Sequence, residues 1–303
     1  KVHTWFQSFY VGNQPPESNP SSILAVRPDW GNKTKQYSSS TRPTKSISEH
    51  NGYFLDPANP EVQDFLEELI KEIIPTYKPD GINLDYIRYP NATAGNDMGA
   101  WGYTDYARNE FKQMYGVDPK DLTVSDVQWY DWNQYRRNNV TNFVQKIGKL
   151  GKQEHVYISA VIFPDLASAL AAKQQDWRTW SSNDYIDGFT PLFLTYDSKM
   201  LASMMNDVMR VKSPKTDLYA GLFVTFMGGA SEDLIRQIYE TRKMDANGVI
   251  IFDYAHTTPV YTSTLMASAF NSMKETKSQI AQTQKKKKRF RKKKNQKTQQ
   301  EKS

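Results

Sequence analysis

The period of the hydrophobic positions changes repeatedly along the chain, and these changes mark out the elements. Val2-His-Thr-Trp-Phe-Gln-Ser-Phe-Tyr10 mixes β-branched and aromatic residues and predicts a strand that runs into a loop. The stretch that follows, to about residue 54, is rich in Ser, Asn, Pro and Gly and has no period. A loop of that length is usually functional or mobile. Leu55-Asp-Pro-Ala-Asn-Pro60 then opens a helix, with Asn59 as cap, Pro60 in the first helical position and Glu61 at the positive end. Val62, Phe65, Leu66, Leu69, Ile70 and Ile73 recur at helical spacing, so one face packs on a core, and Pro75 is expected to end the helix. Asp80-Gly-Ile-Asn-Leu-Asp-Tyr-Ile-Arg-Tyr-Pro90 predicts a short strand from Gly81 to about Tyr86. Ile82 and Leu84 lie on one of its faces, Asn83 and Asp85 on the other.

The unit repeats. Helices are predicted around 105–115, 129–150, 167–181, 197–211, 231–244 and 261–276, and strands at 156–163, 186–194, 218–225 and 248–254. Strands apolar on both faces that alternate with helices indicate a parallel sheet covered by helices. Six such strands are counted, where a closed (β/α)8 barrel needs eight. The expected fold is therefore α/β, a TIM-type barrel over residues 1–276 that lacks its first two strands, with those strands upstream of Lys1. A doubly wound open sheet is the alternative, but no Gly-rich phosphate loop follows any strand. A barrel short of two strands exposes two parallel edges, so residues 1–303 alone are expected to be poorly soluble or to need upstream sequence.

Composition changes this picture in three places. A length of 303 residues suits one large α/β barrel, and no run of 18 apolar residues exists to cross a membrane. The chain opens at Lys1 with neither an initiator Met nor a signal peptide, which points to a processed precursor or an excised piece. With no cysteine there are no disulfides and no thiolate metal site. The net charge of +6 reflects Lys285-Lys-Lys-Lys-Arg-Phe-Arg-Lys-Lys-Lys294, nine positive charges in ten residues, so the body before it is mildly acidic. Residues 277–303 are expected to be a disordered polybasic tail that meets an anionic wall or membrane surface. No element that reads bases accompanies the run, so no specific nucleic-acid function is assigned to it.

In a barrel, residues just past the C-terminal strand ends converge on one mouth. Here those are Trp5 and Gln7; Asp85, Tyr86 and Arg88; Phe163 to Asp165; Tyr196 and Asp197; Phe226; and Asp253, Tyr254 and His256. Several carboxylates, one guanidinium and many rings suit glycoside hydrolysis, in which one carboxyl protonates the leaving oxygen and another attacks or activates water. Taken alone, Asp85 and Arg88 read equally well as a structural ion pair. The four His residues are scattered, so neither a metal nor a cofactor is expected. Asn-X-Ser/Thr triplets occur at Asn32, Asn91 and Asn139, as such triplets often do by chance.

Several of these segments, in order, resemble the glycosyl-hydrolase-like family 10 proteins, barrel proteins mostly exported to the bacterial envelope. Val2-His-Thr-Trp-Phe resembles that family's third strand, Leu55-Asp-Pro-Ala-Asn-Pro-Glu-Val62 its helix start, and the Asp80–Pro90 segment its fourth strand. Tyr135-Arg-Arg137 with Val140-Thr141 is similar to the following helix pattern. Phe163-Pro164, Lys173-Gln-Gln-Asp-Trp177 and Trp180 resemble the fifth strand and its helix. Ile186-Asp187 with Thr190-Pro191 and Thr195-Tyr196, then Gly248-Val-Ile-Ile-Phe252 with Tyr254, resemble the sixth and eighth strands. Gln7 and Tyr10 depart from the pattern, where the family usually has Asn and often Arg.

The resemblance implies a secreted or envelope-held glycoside hydrolase acting on polysaccharide, with bacterial cell-wall glycan as the candidate substrate. Asp85 is the leading catalytic carboxylate, expected as nucleophile or base with a second Asp as acid, and Tyr86 and Arg88 orient it and keep it ionised. As its partner, Asp176, in a matching motif, and Asp253, which ends the eighth strand towards the mouth, rank ahead of Asp165 and Asp197; Asp165, Asp176 and Asp197 can each instead cap a helix. Trp5, Trp177, Tyr196 and Tyr254 join Tyr86 and Arg88 as substrate contacts. The alternatives are a non-catalytic glycan-binding barrel at the envelope and a scaffold held there by its basic tail.

Overall fold

The computed structural model describes residues 1–92 and 97–270. Strand β1 (His3–Gln7) leads into a small antiparallel pair, β2 (Tyr10–Gly12) and β3 (Tyr53–Phe54), with the short helix α1 (Ile23–Val26) between them. Then come α2 (Pro60–Tyr77), β4 (Gly81–Asp85), α3 (Asp105–Tyr115) and α4 (Gln128–Glu154). Next are β5 (Tyr157–Ile162), α5 (Leu166–Lys173), α6 (Trp177–Ser182), β6 (Gly188–Phe193) and α7 (Ser198–Val211). The described part closes with β7 (Asp217–Phe223), α8 (Ser231–Lys243), β8 (Gly248–Phe252) and α9 (Pro259–Ala267). Six strands run parallel in the order β1-β4-β5-β6-β7-β8 and curl into a half-barrel with helices packed on it. The barrel-type α/β fold expected from the pattern is present. The polybasic run and the rest of residues 271–303 lie outside the described residues.

Local chemistry accounts for the elements. Asn59 accepts from the Glu61 amide at 2.9 Å and Pro60 takes the first turn of α2, as expected. Val62, Leu66, Ile70 and Ile74 form its buried stripe against Ile82 and Leu84 of β4 in one continuous core. Pro75 does not end this helix: it sits in the last turn, and the chain leaves at Lys78 in the left-handed conformation, φ 49°. Gly81 starts β4 because a Cβ there would lie 2.7 Å from both the His3 ring and the Tyr157 carbonyl oxygen.

Two expectations are corrected. The helix predicted over 167–181 is broken at Gln174, which is left-handed at φ 55°. Gln175 holds the break: its side chain accepts from the Phe163 amide at 2.9 Å and donates to the Val161 carbonyl at 3.1 Å. The strands are also not apolar on both faces. Asn83 donates to Ser159 Oγ at 2.8 Å and to Thr190 Oγ1 at 3.3 Å across the concave face, and the Tyr157 hydroxyl reaches Asp217 at 3.0 Å. That face opens on a cavity of about 480 Å³ lined by His3, Trp5, Tyr219 and Ile250, among others. β1 and β8 end the sheet, each with one strand neighbour among the described residues. No described helix is long and apolar enough to cross a membrane.

Candidate functional site

The register Gln7↔Asp85 between β1 and β4 decides the centre of the site. It sets Trp5 beside the end of β4, where the indole Nε1 donates to Asp85 Oδ2 at 2.9 Å. The Tyr86 amide donates to Asp85 Oδ1 at 2.7 Å. Tyr86 itself is left-handed, φ 48°, which costs a bulky residue roughly 1–2 kcal/mol. A parallel stack on Tyr10 at 4.6 Å helps to hold it. Burial pushes the Asp85 carboxyl above the ordinary carboxylate range, and the Tyr86 amide, the Trp5 indole and the Arg88 charge offset only part of that push. Burial and the neighbouring Asp85 raise the Tyr86 phenol to about 12.

Arg88 does not pair with Asp85. Its guanidinium forms a fork on Glu49, at 2.9 and 3.1 Å, donates to the Tyr89 carbonyl at 3.2 Å, and lies against the rings of Tyr86 and Phe163. Glu49 presents both oxygens to the fork, with Oε1 also accepting from the Asn91 amide at 2.9 Å, whereas the Asp85 oxygens accept from Trp5 and Tyr86. Burial raises the Glu49 carboxyl, but the Arg88 charge and fork, the Asn91 amide and Lys173 more than offset it and hold it below its ordinary range. Lys173 donates from Nζ to Asn91 Oδ1 at 2.8 Å, 4.0 Å above the Phe163 ring. Burial and the Arg88 charge lower this ammonium to about 8, against the pull of Glu49.

These groups line one cleft of about 530 Å³, which also takes in Leu192, Phe223, Phe252 and Asp253. Phe223 and Phe252 stack face to face at 4.6 Å and make an apolar wall of the cleft. Asp253, exposed at the rim after β8, accepts from the His256 amide at 3.0 Å and meets His256 Nδ1 at 2.7 Å. Those hydrogen bonds hold its carboxyl below the ordinary range.

Of the residues picked from sequence, Trp5, Asp85, Tyr86, Arg88 and Asp253 therefore meet in one cleft. Asp176 does not. It caps α6, accepting from the Thr179 amide at 3.2 Å and the Thr179 hydroxyl at 2.8 Å. Trp177 is fully buried edge-on against Phe189, so it meets no solvent from which a sugar could arrive. Tyr196 is 64% exposed but off the cleft, and Tyr254, 94% exposed, borders the neighbouring concave cavity instead. Asp165 and Asp197 cap α5 and α7. The residues missed in the sequence are Glu49 and Lys173. Glu49 stands in a loop without periodicity, and Lys173 ends a helix, where a cation has an ordinary place.

Among the described residues no group of three or more His, Asp or Glu side chains is placed to hold a metal ion. Of the triplet asparagines, Asn32 is buried and accepts from the Gly102 amide, Asn139 is buried in α4, and Asn91 holds Lys173.

The chain is 24% identical to glycosyl hydrolase DigH of Escherichia coli K12 over 267 residues, 77% of this chain and 52% of that protein. It is 26% identical to glycosyl hydrolase YngK of Bacillus subtilis over 164 residues, 54% of this chain and 26% of that one. With an S-layer-related protein of Niallia circulans it shares 25% identity over 166 residues, 49% of this chain and 10% of that one. The chain thus spans about half or less of the length of these relatives. Among solved structures, the catalytic domain of β-amylase from Paenibacillus polymyxa superposes with a TM-score of 0.50 at 13% identity, covering 85% of this chain and 77% of that chain. At that identity the likeness is one of fold. Residues 1–245 match the family model described as glycosyl hydrolase-like 10, and the chain belongs to that family.

Proposed function

We propose that this chain is a glycoside hydrolase that cleaves O-glycosidic bonds in a polysaccharide, with Asp85 as proton donor and Asp253 as the base or nucleophile. One observation carries the reading: two carboxyls face the same cleft and are pushed in opposite directions. Burial keeps Asp85 protonated to higher pH than an ordinary carboxyl, while His256 keeps Asp253 ionised. Opposed shifts of this kind separate an acid from a base in one site, and they favour the reverse of the roles expected from sequence, with Asp85 there as the nucleophile or base. Trp5, Phe163 and the Phe223–Phe252 wall offer apolar surfaces for sugar rings.

Bacterial cell-wall glycan is the substrate we infer for it, and the S-layer-related relative supports a place at the envelope. The basic run of residues 285–294 suits contact with an anionic surface there. The rival reading is a glycan-binding cleft without turnover. It is favoured by the engagement of every cleft carboxyl: Glu49 in the Arg88 fork, Asp85 by Trp5 and the Tyr86 amide, and Asp253 by His256.

The test incubates the parent, Asp85→Asn and Asp253→Asn with purified cell-wall glycan strands, with and without stem peptides, and measures new reducing ends. Release by the parent is expected, with at least a hundredfold loss (about 2.7 kcal/mol) in an Asp85→Asn protein that still melts cooperatively. If all three bind the strands and none releases ends, the binding reading takes over.

A further inference from the structure

We propose that the cleft contains a subsite for a carboxylate carried by the substrate sugar, formed by Lys173 with Arg88 behind it. The inference rests on the cleft holding a glycan and adds the charge of that glycan. Lys173 is 7% exposed at the end of α5 and lines the cleft. Its ammonium has three donors. Among the described residues the hydrogen bond it makes is to the neutral Asn91 side chain, and no carboxylate lies within ion-pair distance of it. Glu49, the nearest firmly ionised partner in the cluster, has both oxygens taken by the Arg88 fork and one of them also by the Asn91 amide. Asp85 makes no ion pair with Lys173, and its two oxygens accept from the Trp5 indole and the Tyr86 amide.

The cluster thus sets two cations, Arg88 and Lys173, against one committed anion in a largely buried pocket. Burying an ion without a counter-charge is costly, and removing the partner of a buried ion is among the more damaging changes a protein can suffer. The downward push on the Lys173 ammonium is the expected sign of that cost. The Phe163 ring beneath it attracts a cation but does not neutralise one. Reading a sugar hydroxyl needs no charge and is served by an amide. An ammonium kept almost dry in the wall of the cleft fits an anionic group on the ligand. Sugar carboxylates come from two sources, the C6 position of a uronic acid and an acid joined to the ring through an ether, and both present the same group.

Each source gives one arm of the test, in the full chain. Oligogalacturonate supplies the C6 acid, and peptide-free cell-wall strands supply the ether-linked acid. Each is compared with its carboxyl-reduced counterpart by titration calorimetry, at high salt to screen the basic run of residues 285–294, while a buried pair is screened much less. At least one acidic ligand is expected to bind ten or more times more tightly than its reduced form, and the arm that does so identifies the source. Lys173→Met should abolish that preference, read as the ratio of the acidic and reduced affinities in the same variant, while Lys173→Arg keeps it. Equal binding of the acidic and reduced forms by the parent would overturn the inference and leave the glycan cleft standing, and so would a preference that survives in Lys173→Met. Failure of the parent to bind any of the four ligands removes the cell-wall substrate and this inference together.

Discussion

Trp5 gives its indole N–H to a carboxyl that burial pushes towards neutrality, so the two effects oppose each other at one atom. Removing the donor lets burial act with less opposition. In Trp5→Phe, Asp85 should therefore hold its proton to higher pH. If Asp85 is the proton donor, activity falls as pH rises through its pKa, and the alkaline limb of kcat/KM should move upward in this variant. A limb that stays in place would remove Asp85 from that role. The same shift bears on stability. A folded-state pKa above the unfolded value means stability is fully present below the unfolded pKa and is lost as pH rises through the folded one. Asp85→Asn should accordingly melt no lower than the parent at neutral pH. The position of Asp85 was legible in the sequence because Asn83 and Asp85 alternate with Ile82 and Leu84 along β4. The partner of Arg88 was not. Glu49 lies thirty-nine residues away, in a loop whose path no local pattern specifies, while Asp85 stands three positions off and looks like the obvious counter-charge.

Helices α2 and α3 are joined at their starts by one carboxyl. Asp56 is fully buried, accepts from the Ala58 amide at 3.1 Å and receives the Thr104 hydroxyl, and Thr104 in turn caps α3 by accepting from the Ala107 amide at 3.2 Å. Burial pushes Asp56 up to about 6, against the pull of these hydrogen bonds. In the unfolded chain an Asp titrates near 4, so the folded state binds the extra proton between about pH 4 and 6. Stability from this group is complete below that window and is lost as pH rises through it, by about 3 kcal/mol at most. Asp56→Asn keeps the geometry without the titration. Urea melts at pH 4.5 and 7 should show the parent losing about 2 kcal/mol of that relative to the variant, and parallel profiles would exclude Asp56 as the cause. At this scale the sequence was readable where a cap or a stripe is local, as at Asn59 and Val62–Ile74. It was misleading at 174–176, where a tertiary contact made by Gln175 overrides a continuous helical pattern.

In the molecule as a whole, the order of strands follows from simple alternation, but the character of the inner face does not. Gly248-Val-Ile-Ile-Phe252 reads as a core strand, yet every residue of β8 is only half-buried, and Trp5 of β1 is 59% exposed. Both facts have one cause. The sheet is a half-barrel whose first and last strands each lack a second neighbour among the described residues, so the concave face and two rows of backbone donors and acceptors meet solvent. Parallel edges flanked by Trp5, Tyr219, Ile250 and Phe252 invite pairing with another chain, since exposed apolar edges template association. Residues 1–303 in isolation should therefore sediment as a concentration-dependent series of oligomers and bind an apolar dye. Ile250→Lys places a charge on that inner face and should shift the series towards monomer without moving the Asp85 cleft, whose walls do not include Ile250. A parent that stays monomeric at every concentration, with a cooperative melt, would show that the open seam is satisfied within the chain itself.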